Sequence, residues 1–374
     1  LPAVTDEDEP WKDKQDEVKY VPLQPREGDL AIYLQSTAHE IIFKNERYVI
    51  VPHNSILMVI RDEGLFEAKR EGAWRVASLP SPDGIQTCTT PQDCPCPSLC
   101  HGSLPEYSIY DIPRLYSKKA KDLKSRGILS IRDIPDGYSF SSTQSRHIAA
   151  VKSGEPFIDT AAIANELSTL KYPLSFLDYE TYSPAVPLYD GYKPYQHIVF
   201  QYSLHIVESP ESKPEHIELL LTGEGDPGIK LAEHLSKHVP DSGTIIVWNR
   251  PFEAGRNRAM AERYPAYRDA LLNMNARMYD LMKIFSRGLY IHPDFHGSAS
   301  IKNVLPVLVP EFGQNYTDLN VSSGDEAMLA WADLVSGQVP DEQVQHLRND
   351  LLAYCKLDTL AMVKIWKTLR DEAM

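Results

Sequence analysis

Short apolar runs bounded by turn residues alternate with longer helical patterns after residue 170. The apolar runs predict strands over 174–180, 198–207, 216–221 and 244–248. Apolar positions repeating every three to four residues predict helices over 228–238, 251–262, 300–308, 324–336 and 341–371. Strands that lead into a largely helical tail are typical of an α/β domain with a mixed sheet flanked by helices, here over 172–371.

The first 165 residues have a different pattern. Residues 1–29 are acidic and are expected to be flexible. Short β-like runs predict a small β-rich module over 30–80. A Cys- and Pro-rich loop at 81–104 follows, and a polar pattern over 105–165 predicts a helical segment.

Composition excludes several classes of protein. The 374 residues carry a formal net charge of -14, which argues against a broad, nonspecific coat on nucleic acid. No apolar stretch approaches the ~20 residues of a membrane helix, and no signal peptide is recognisable. We therefore expect a soluble, cytoplasmic protein. Because the chain begins with Leu1, we expect it to be part of a longer polypeptide.

Two acids stand in the first predicted strand. In "SFLDYETY", Asp178 and Glu180 are two residues apart and so share a face of the strand. Like charges on a buried face repel and are costly to desolvate unless they are paired or bound to metal. The alternative is that the strand ends at Asp178, with both acids in solvent.

Two further acids lie at predicted helix starts. In "IIVWNRPFEAG", Glu253 follows a strand and a turn, and Pro251 suits the first helical turn. Asp280 precedes another helical run. Taken singly, Glu253 is better explained as a favourable acid at a helix N-terminus, and Asp280 as an N-cap-like residue.

The last predicted helix carries Tyr354 and Asp358, four residues apart and hence on one helical face. Taken alone, they form an ordinary hydrogen-bonded surface pair. Cys355, on the same helix, is predicted to lie in the core.

Together these stretches resemble a known family. D-x-E at Asp178 and Glu180, N-x-x-F-E at Asn249 to Glu253, and Y-x-x-x-D at Tyr354 and Asp358 resemble the motifs of DEDD 3′–5′ exonucleases of the RNase H-like fold. The usual second motif ends in Asp, so Glu253 is a departure. Asp280 resembles a supporting acid that opens the helix after the second motif, and Asn249 is a supporting position.

The resemblance implies a chemistry. Four carboxylates suit two Mg²⁺ or Mn²⁺ ions, which activate a water and stabilise the leaving oxygen of a phosphodiester. Asp178 is implied to bridge both ions, Glu180 and Asp358 to hold the first, and Glu253 to act through the second by way of water. Tyr354 is implied to orient the attacking water.

A second resemblance covers more of the chain. The stretches "FLDYETYSPAVPLYDGYKPYQHIVFQYSLHI", "GSASIKNVLP" and "YCKLDTLAMV" look like a bacterial family of unassigned function. Its members join a RecB-like, Cys-containing N-terminal region to this exonuclease-like domain. The chain lacks a D…E-x-K triad with suitable spacing, so no second nuclease centre is expected.

Residues near the first motif are candidates for binding nucleic acid. Aromatic rings stack on bases and cations meet phosphates; the candidates are Tyr189, Tyr192, Lys193, Tyr195 and Gln196. Ser298, Ser300 and Lys302 at a predicted helix start form a candidate phosphate cradle. A Tyr-rich loop that packs on the first strand, and a plain helix N-cap, remain alternatives.

Four cysteines form a separate candidate metal site. Cys88, Cys94, Cys96 and Cys100 lie within 13 residues, which suits one tetrahedral Zn²⁺. The related RecB-like proteins suggest an iron–sulfur cluster as an alternative, and the close Cys94–Cys96 spacing leaves the absence of metal as a third.

Three functions therefore remain open. The first is a metal-dependent 3′–5′ exonuclease acting on a single-stranded end of DNA or RNA. The second is a non-catalytic nucleic-acid-binding or scaffold module with a degenerate exonuclease fold, and the third is a structure-selective endonuclease.

Overall fold

The computed structural model describes four short stretches before residue 61 and most of the chain after residue 103. These are residues 30–33, 39–43, 46–50 and 56–60, and then 104–373 except 224, 314–320, 322 and 338. The acidic stretch 1–29 and the four clustered cysteines lie outside the described residues.

The chain divides into two compact units, 1–77 and 78–374. The first contains strands β1 (Leu30–Tyr33), β2 (His39–Phe43), β3 (Glu46–Ile50) and β4 (Ile56–Ile60). β1 pairs with β4 and β2 with β3, both antiparallel. The four strands fall within the range for which a β-rich module is predicted.

The second unit contains the remaining elements. Its strands are β5 (Phe157–Ile158), β6 (Leu174–Tyr182), β7 (Ile198–Val207), β8 (Glu215–Leu220), β9 (Thr244–Val247), β10 (Met278–Asp280) and β11 (Tyr290–Ile291). Its helices are α1 (Ser117–Ser125), α2 (Ser142–Ser153), α3 (Thr160–Ser168), α4 (Pro227–His238), α5 (Arg250–Arg263), α6 (Arg268–Ala276), α7 (Lys283–Ser286), α8 (Ile301–Leu308), α9 (Pro310–Gly313), α10 (Gly324–Ser336) and α11 (Asp341–Ala373).

Five of these strands form a mixed sheet in the order β10-β9-β6-β7-β8. β6 is parallel to β9, and β9 to β10, whereas β7 is antiparallel to both of its neighbours. The C-terminal ends of β6, β9 and β10 therefore meet at one edge of the sheet. The prediction of a mixed α/β domain is confirmed.

Alternation along β6 divides its side chains between two cores. Leu174 and Phe176 pack on α11 in one cluster, while Leu177 and Tyr179 pack on α4 and α5 in another. Each fully buried large apolar side chain contributes about 1.5–3 kcal/mol to stability. This period-two burial fixes the register of β6 and therefore the face on which its acids lie.

The helical segment before β5 has a small core of its own, formed by α1, α2 and the turns between them. It joins the rest of the unit through β5, which pairs with β11, and through Tyr107, whose hydroxyl donates to Asp294 at 3.0 Å. Gly297 (φ 73°) lies against the backbone carbonyl of Asp111, where a Cβ would collide. Close approach of the two segments therefore requires glycine at this position.

Most of the strands and helices predicted from the sequence after residue 172 are present in the structure. The strand over 198–207 and the helix over 324–336 are confirmed as predicted, and the remaining strands and helices after residue 172 differ at their ends by a few residues at most. Four short or weakly patterned elements after residue 172 were not predicted: β10, three residues long, β11, α6 and α9. Asp280 consequently ends a strand and does not directly start a helix, because β10 completes the sheet before the chain turns into α7. Among the described residues, no helix is both long enough and apolar enough to cross a bilayer.

Candidate metal centre

Asp178 and Glu180 lie in the C-terminal half of β6, on the face that packs against α11. Glu180 is buried and Asp178 keeps part of its surface open to solvent. The register shifts between Glu180 and Thr181, so the strand remains regular up to both acids. The sequence alternative, in which the strand ends at Asp178, is wrong because β6 continues to Tyr182 and pairs with β7 along this length.

The turn after β9 brings Glu253 towards these acids. β9 pairs with β6 over its first three residues, so the chain leaves the sheet beside Asp178. Asn249 turns the chain with a left-handed conformation (φ 82°), and its N–H donates to Asp280 Oδ1 at 3.2 Å. Its carbonyl accepts from the N–H of Phe252 at 3.0 Å. Asp280 thus fixes the turn from which α5 begins.

A buried network holds α5 against the back of β6. The hydroxyl of Tyr179 donates to Asn257 Oδ1 at 2.7 Å, and Asn257 Nδ2 donates to Asn275 on α6 at 3.0 Å. Asn257 follows Glu253 by four residues and therefore lies one helical turn away on the same face. The network sets both the position and the rotation of the helix that carries Glu253.

Three polar residues of β7, the polar row Gln201, Ser203 and His205, hold α11 against the sheet. Gln201 Nε2 donates to the carbonyl of Leu351 at 2.8 Å. The hydroxyl of Thr359 lies 2.7 Å from Ser203 Oγ and 2.8 Å from His205 Nδ1. These contacts are buried, and they fix the register of α11 along the sheet.

The acids from the three segments lie in one place. The side chains of Asp178 and Glu253 interact with each other. Asp358 interacts electrostatically with Asp178 and Glu180, and Tyr354 lies close to all three. The structure therefore brings together the candidates from β6, α5 and α11.

The cluster also contains a residue whose role was not predicted. Cys355 is completely buried, as expected, but its Sγ also lies within 4.8 Å of carboxylate oxygens of Asp178 and Glu180. The sequence contained one signal for this location, because Cys355 directly follows Tyr354 and precedes Asp358 on the same helix. α11 turns Cys355 and Asp358 towards the same strand.

Burial and mutual repulsion disfavour negative charge in the cluster. Burial, and then the Asp358 carboxylate, raise the pKa of Asp178 well above its usual value. Burial, and then Asp178, raise the pKa values of Glu180 and Glu253 well above theirs. Burial also raises the pKa of the Tyr354 phenol, which stays neutral. Positive charge within the cluster would restore the ionised carboxylates.

Two cationic side chains border the acids. Lys302, at the start of α8, interacts with Glu180 and opposes the rise in its pKa. Arg256, which the motifs did not indicate, lies near Glu253 and 4.6 Å from the centre of the Phe252 ring. Among the described residues, Nε and Nη1 of Arg256 and Oε2 of Glu253 have no hydrogen-bond partner. Each of these atoms is buried and available to a ligand.

The start of α10 lies beside Glu180. A methyl group in place of a Gly324 hydrogen would sit 3.9 Å from Glu180 Oε2, without a clash. The N-terminal end of a helix carries a partial positive charge, which favours nearby carboxylates. This helix end therefore partly offsets the electrostatic repulsion among the acids around Glu180.

In the loop between β6 and β7, some of the candidate residues support the loop and others are exposed. Tyr189 packs in the cluster that includes Tyr354, and Tyr192 bonds with Asp226 and Tyr264 through its hydroxyl. Both therefore support the loop. Tyr195 is 37% exposed, and Lys193 is also exposed. Gln196 Oε1 accepts from the N–H of Lys193 at 2.9 Å and so closes the loop.

The candidate phosphate cradle of Ser298, Ser300 and Lys302 lies at the start of α8. Ser300 is exposed at the N-cap, but its side chain makes no capping hydrogen bond. Its N–H donates instead to Ser298 Oγ at 3.1 Å. Trp248 anchors the preceding loop by donating to the carbonyl of Ala299 at 3.1 Å, which brings this helix start to the edge of the sheet where β9 ends.

Comparison with known proteins gives a similarity to one domain family but no activity. The sequence profile of a domain of unknown function, DUF2779, matches residues 175–300, about a third of the chain. The match includes Asp178, Glu180, Glu253 and Asp280 but stops before α11. No solved structure matches significantly.

The three similar curated proteins carry names that describe them as uncharacterized. Protein UU173 of Ureaplasma parvum is 26% identical over 292 residues, which cover 71% of this chain and 42% of that protein. The MG366 homolog of Mycoplasma pneumoniae is 26% identical over 217 residues, which cover 54% of this chain and 33% of that protein. MG366 of Mycoplasma genitalium is 23% identical over 225 residues, covering 55% and 33%. The chain spans less than half the length of each of these relatives.

Proposed function

We propose that the protein is a metal-dependent 3′–5′ exonuclease that hydrolyses phosphodiester bonds at the end of a nucleic-acid strand. The observation that carries this proposal is the meeting of Asp178, Glu180, Glu253 and Asp358, from three separate segments, in one largely buried cluster. Burying several carboxylates together costs free energy, because each loses its hydration and repels the others. Carboxylates from distant parts of a chain rarely meet in this way without a cationic ligand.

The donor set supports hard divalent cations. The four candidate ligands supply only carboxylate oxygens, which Mg²⁺ and Mn²⁺ prefer. Glu253 is 2% exposed and its Oε2 has no hydrogen-bond partner among the described residues, so this oxygen is free to coordinate. When bound, a pair of such ions activates water and stabilises the leaving oxygen of the phosphodiester.

The protein's own residues have separate roles in this proposal. Asp178 interacts with each of the other three acids and would hold both ions, Glu180 and Asp358 would hold the first, and Glu253 would act through the second by way of water. Glu253 is one methylene longer than the usual Asp, and its interaction with Asp178 indicates that its side chain reaches the cluster. Tyr354, held neutral beside Asp358, orients the attacking water.

The surroundings of the cluster support a nucleic-acid substrate. Lys302 beside Glu180 and the uncapped Ser300 at the start of α8 are assigned to a phosphate. The exposed ring of Tyr195 is assigned to stacking on a base, and Lys193 to the backbone. Tyr189 and Gln196, which support the loop, are assigned an indirect role in holding these groups.

We further propose that the α/β unit has an RNase H-like fold. The strand order, with β7 alone reversed within a five-stranded sheet, supports this assignment. So does the position of the acids at the C-terminal edge of the parallel strands, where ligands bind in open α/β sheets.

The decisive experiment uses a single-stranded DNA or RNA labelled at its 5′ end, with Mn²⁺. An exonuclease of this polarity shortens the labelled strand one nucleotide at a time from the other end. Asp178→Asn should reduce the rate by at least about a hundredfold, since it removes the ligand assigned to both ions. Glu208→Gln, an exposed acid on the loop after β7, is the matched control and should keep full activity.

Other outcomes identify the alternatives. Cutting of a circular single strand would favour an endonuclease. Binding of nucleic acid without Mn²⁺-dependent cleavage would favour a scaffold whose Glu253 no longer supports catalysis. Cleavage that survives Asp178→Asn would place the active site elsewhere.

The Cys-rich loop remains a separate proposal. Zn²⁺ at Cys88, Cys94, Cys96 and Cys100 is favoured over an iron–sulfur cluster, and the four residues lie outside the described part of the chain. Elemental analysis of the purified protein, together with its visible absorption spectrum, distinguishes the two.

A further inference from the structure

The acid cluster contains a sulfur atom that the proposed reaction does not use. Cys355 Sγ and one carboxylate oxygen each of Asp178 and Glu180 lie within 4.8 Å of one another. Hard ions such as Mg²⁺ and Mn²⁺ prefer oxygen, and a thiol is a poor ligand for them. Zn²⁺, by contrast, combines thiolate sulfur with carboxylate oxygen in tetrahedral sites.

The dimensions of the group suit such an ion. Bonds of about 2.0–2.3 Å in a tetrahedral site place neighbouring ligand atoms about 3.3–3.5 Å apart. The three atoms, which lie within 4.8 Å of one another, therefore need to approach by about 1.5 Å at most. Asp178 and Glu180 are on β6 and Cys355 on α11, and their separation is fixed by the bonds of Gln201 and Thr359 between sheet and helix.

A second observation points to a ligand here. Glu253 is 2% exposed, its side chain interacts with that of Asp178, and its Oε2 has no hydrogen-bond partner among the described residues. A buried carboxylate oxygen left unsatisfied beside the group is costly unless a cation or a water meets it. It is available to complete the coordination that the other three begin.

We propose that Asp178, Glu180 and Cys355 form a binding site for Zn²⁺ and similar thiophilic divalent cations, overlapping the acid cluster. Such an ion takes the carboxylates that Mg²⁺ or Mn²⁺ would occupy and holds them together with the sulfur. Zn²⁺ consequently competes with the hard cations for the cluster. The proposal does not depend on the nuclease reaction, because it concerns ion binding by the protein alone.

The test uses Cd²⁺ as a probe, because a cadmium–thiolate bond has a charge-transfer band in the ultraviolet. The full chain has five cysteines. Replacing Cys88, Cys94, Cys96 and Cys100 by serine leaves Cys355 as the only thiol. Titration of this variant with Cd²⁺ should produce the band and saturate at one equivalent.

Two further variants test the ligand set. Adding Cys355→Ser should remove the band, and adding Asp178→Asn should raise the Cd²⁺ concentration needed for half-saturation at least about tenfold, as loss of a ligand does. Excess Mn²⁺ should also raise it. If the four-serine variant fails to fold, the difference between the unmodified chain and its Cys355→Ser variant gives the same band.

Absence of the band, or a band whose titration is unchanged by Asp178→Asn, overturns the proposal. These results are independent of the exonuclease assay. Mn²⁺-dependent cleavage without the cadmium band would reject only the thiophilic site, and the band without cleavage would reject only the proposed reaction.

Discussion

The hydroxyl of Thr359 on α11 lies 2.7 Å from that of Ser203 on β7. Ser203 is the partner of Asp178 across the β6–β7 pair, and Thr359 directly follows Asp358. One buried contact between two small polar residues thus sets the distance between acids that are 180 positions apart along the chain. The polar row on β7 is therefore a positioning feature of the cluster.

Replacing Thr359 by Val should test this role. Valine keeps the shape but removes the hydroxyl that contacts Ser203 and His205, while Ser203 keeps its contact with His216 Nε2 at 3.0 Å. We expect this loss to lower the free energy of unfolding by about 1–3 kcal/mol. Urea unfolding measures the change. Thr359→Ser keeps the hydroxyl and should lose much less. Equal losses in the two variants would contradict this, because they would show that the buried methyl group, which valine keeps, contributes as much stability as the hydroxyl.

Asp178→Asn should stabilise the protein in the absence of divalent cations, raising Tm by several degrees at neutral pH. Burial and Asp358 raise the pKa of Asp178 in the folded chain. The folded protein thus binds a proton that the unfolded chain releases as pH rises above the usual carboxyl pKa, so stability falls with rising pH in that window. The variant should show a weaker fall.

Mn²⁺ provides the complementary measurement on the same pair of proteins. Because binding to the folded state alone adds stability, Mn²⁺ should raise the Tm of the unmodified protein more than that of Asp178→Asn. Equal shifts in the two proteins would indicate that Mn²⁺ binds away from the cluster.

The turn at Asn249 should tolerate glycine but not alanine. Its φ of 82° lies in the left-handed region, where Asn and Gly are accepted and other residues cost about 1–2 kcal/mol. Asn249→Ala should lower stability by about 1 kcal/mol and reduce Mn²⁺ affinity, since the turn positions Glu253. Asn249→Gly is the matched control. A similar loss in both would mean that the Asn side chain itself acts.

Lys302→Met should affect substrate binding more than the chemical step. Lys302 lies beside Glu180 at the start of α8 and is assigned to a phosphate. We expect KM to rise about tenfold, kcat to change less, and the dependence of binding on salt to weaken. Lys230→Met, on the exposed side of α4, should change neither constant. A fall in kcat with KM unchanged would assign Lys302 to the reaction itself.

The linear sequence predicted the local features well, because they depend on neighbours along the chain. Alternation in "LSFLDYE" placed Asp178 and Glu180 on one face of a strand, and helical periodicity placed Tyr354 and Asp358 one turn apart. The short strand β10 escaped prediction because three residues carry too little periodicity. Its existence depends on pairing with β9, a contact between distant residues.

The sequence by itself determined which acids could share a face and where the α/β pattern begins, since these follow from periods of 2 and 3.6 residues. Only the tertiary structure decided that Glu253 and Asp358 reach the acids of β6, that Arg256 borders them, and that Cys355 lies within ligand distance. These depend on how β9 and α11 pack against β6 and β7. That packing combines apolar cores with buried hydrogen bonds between residues far apart in the chain, and no local pattern encodes these contacts.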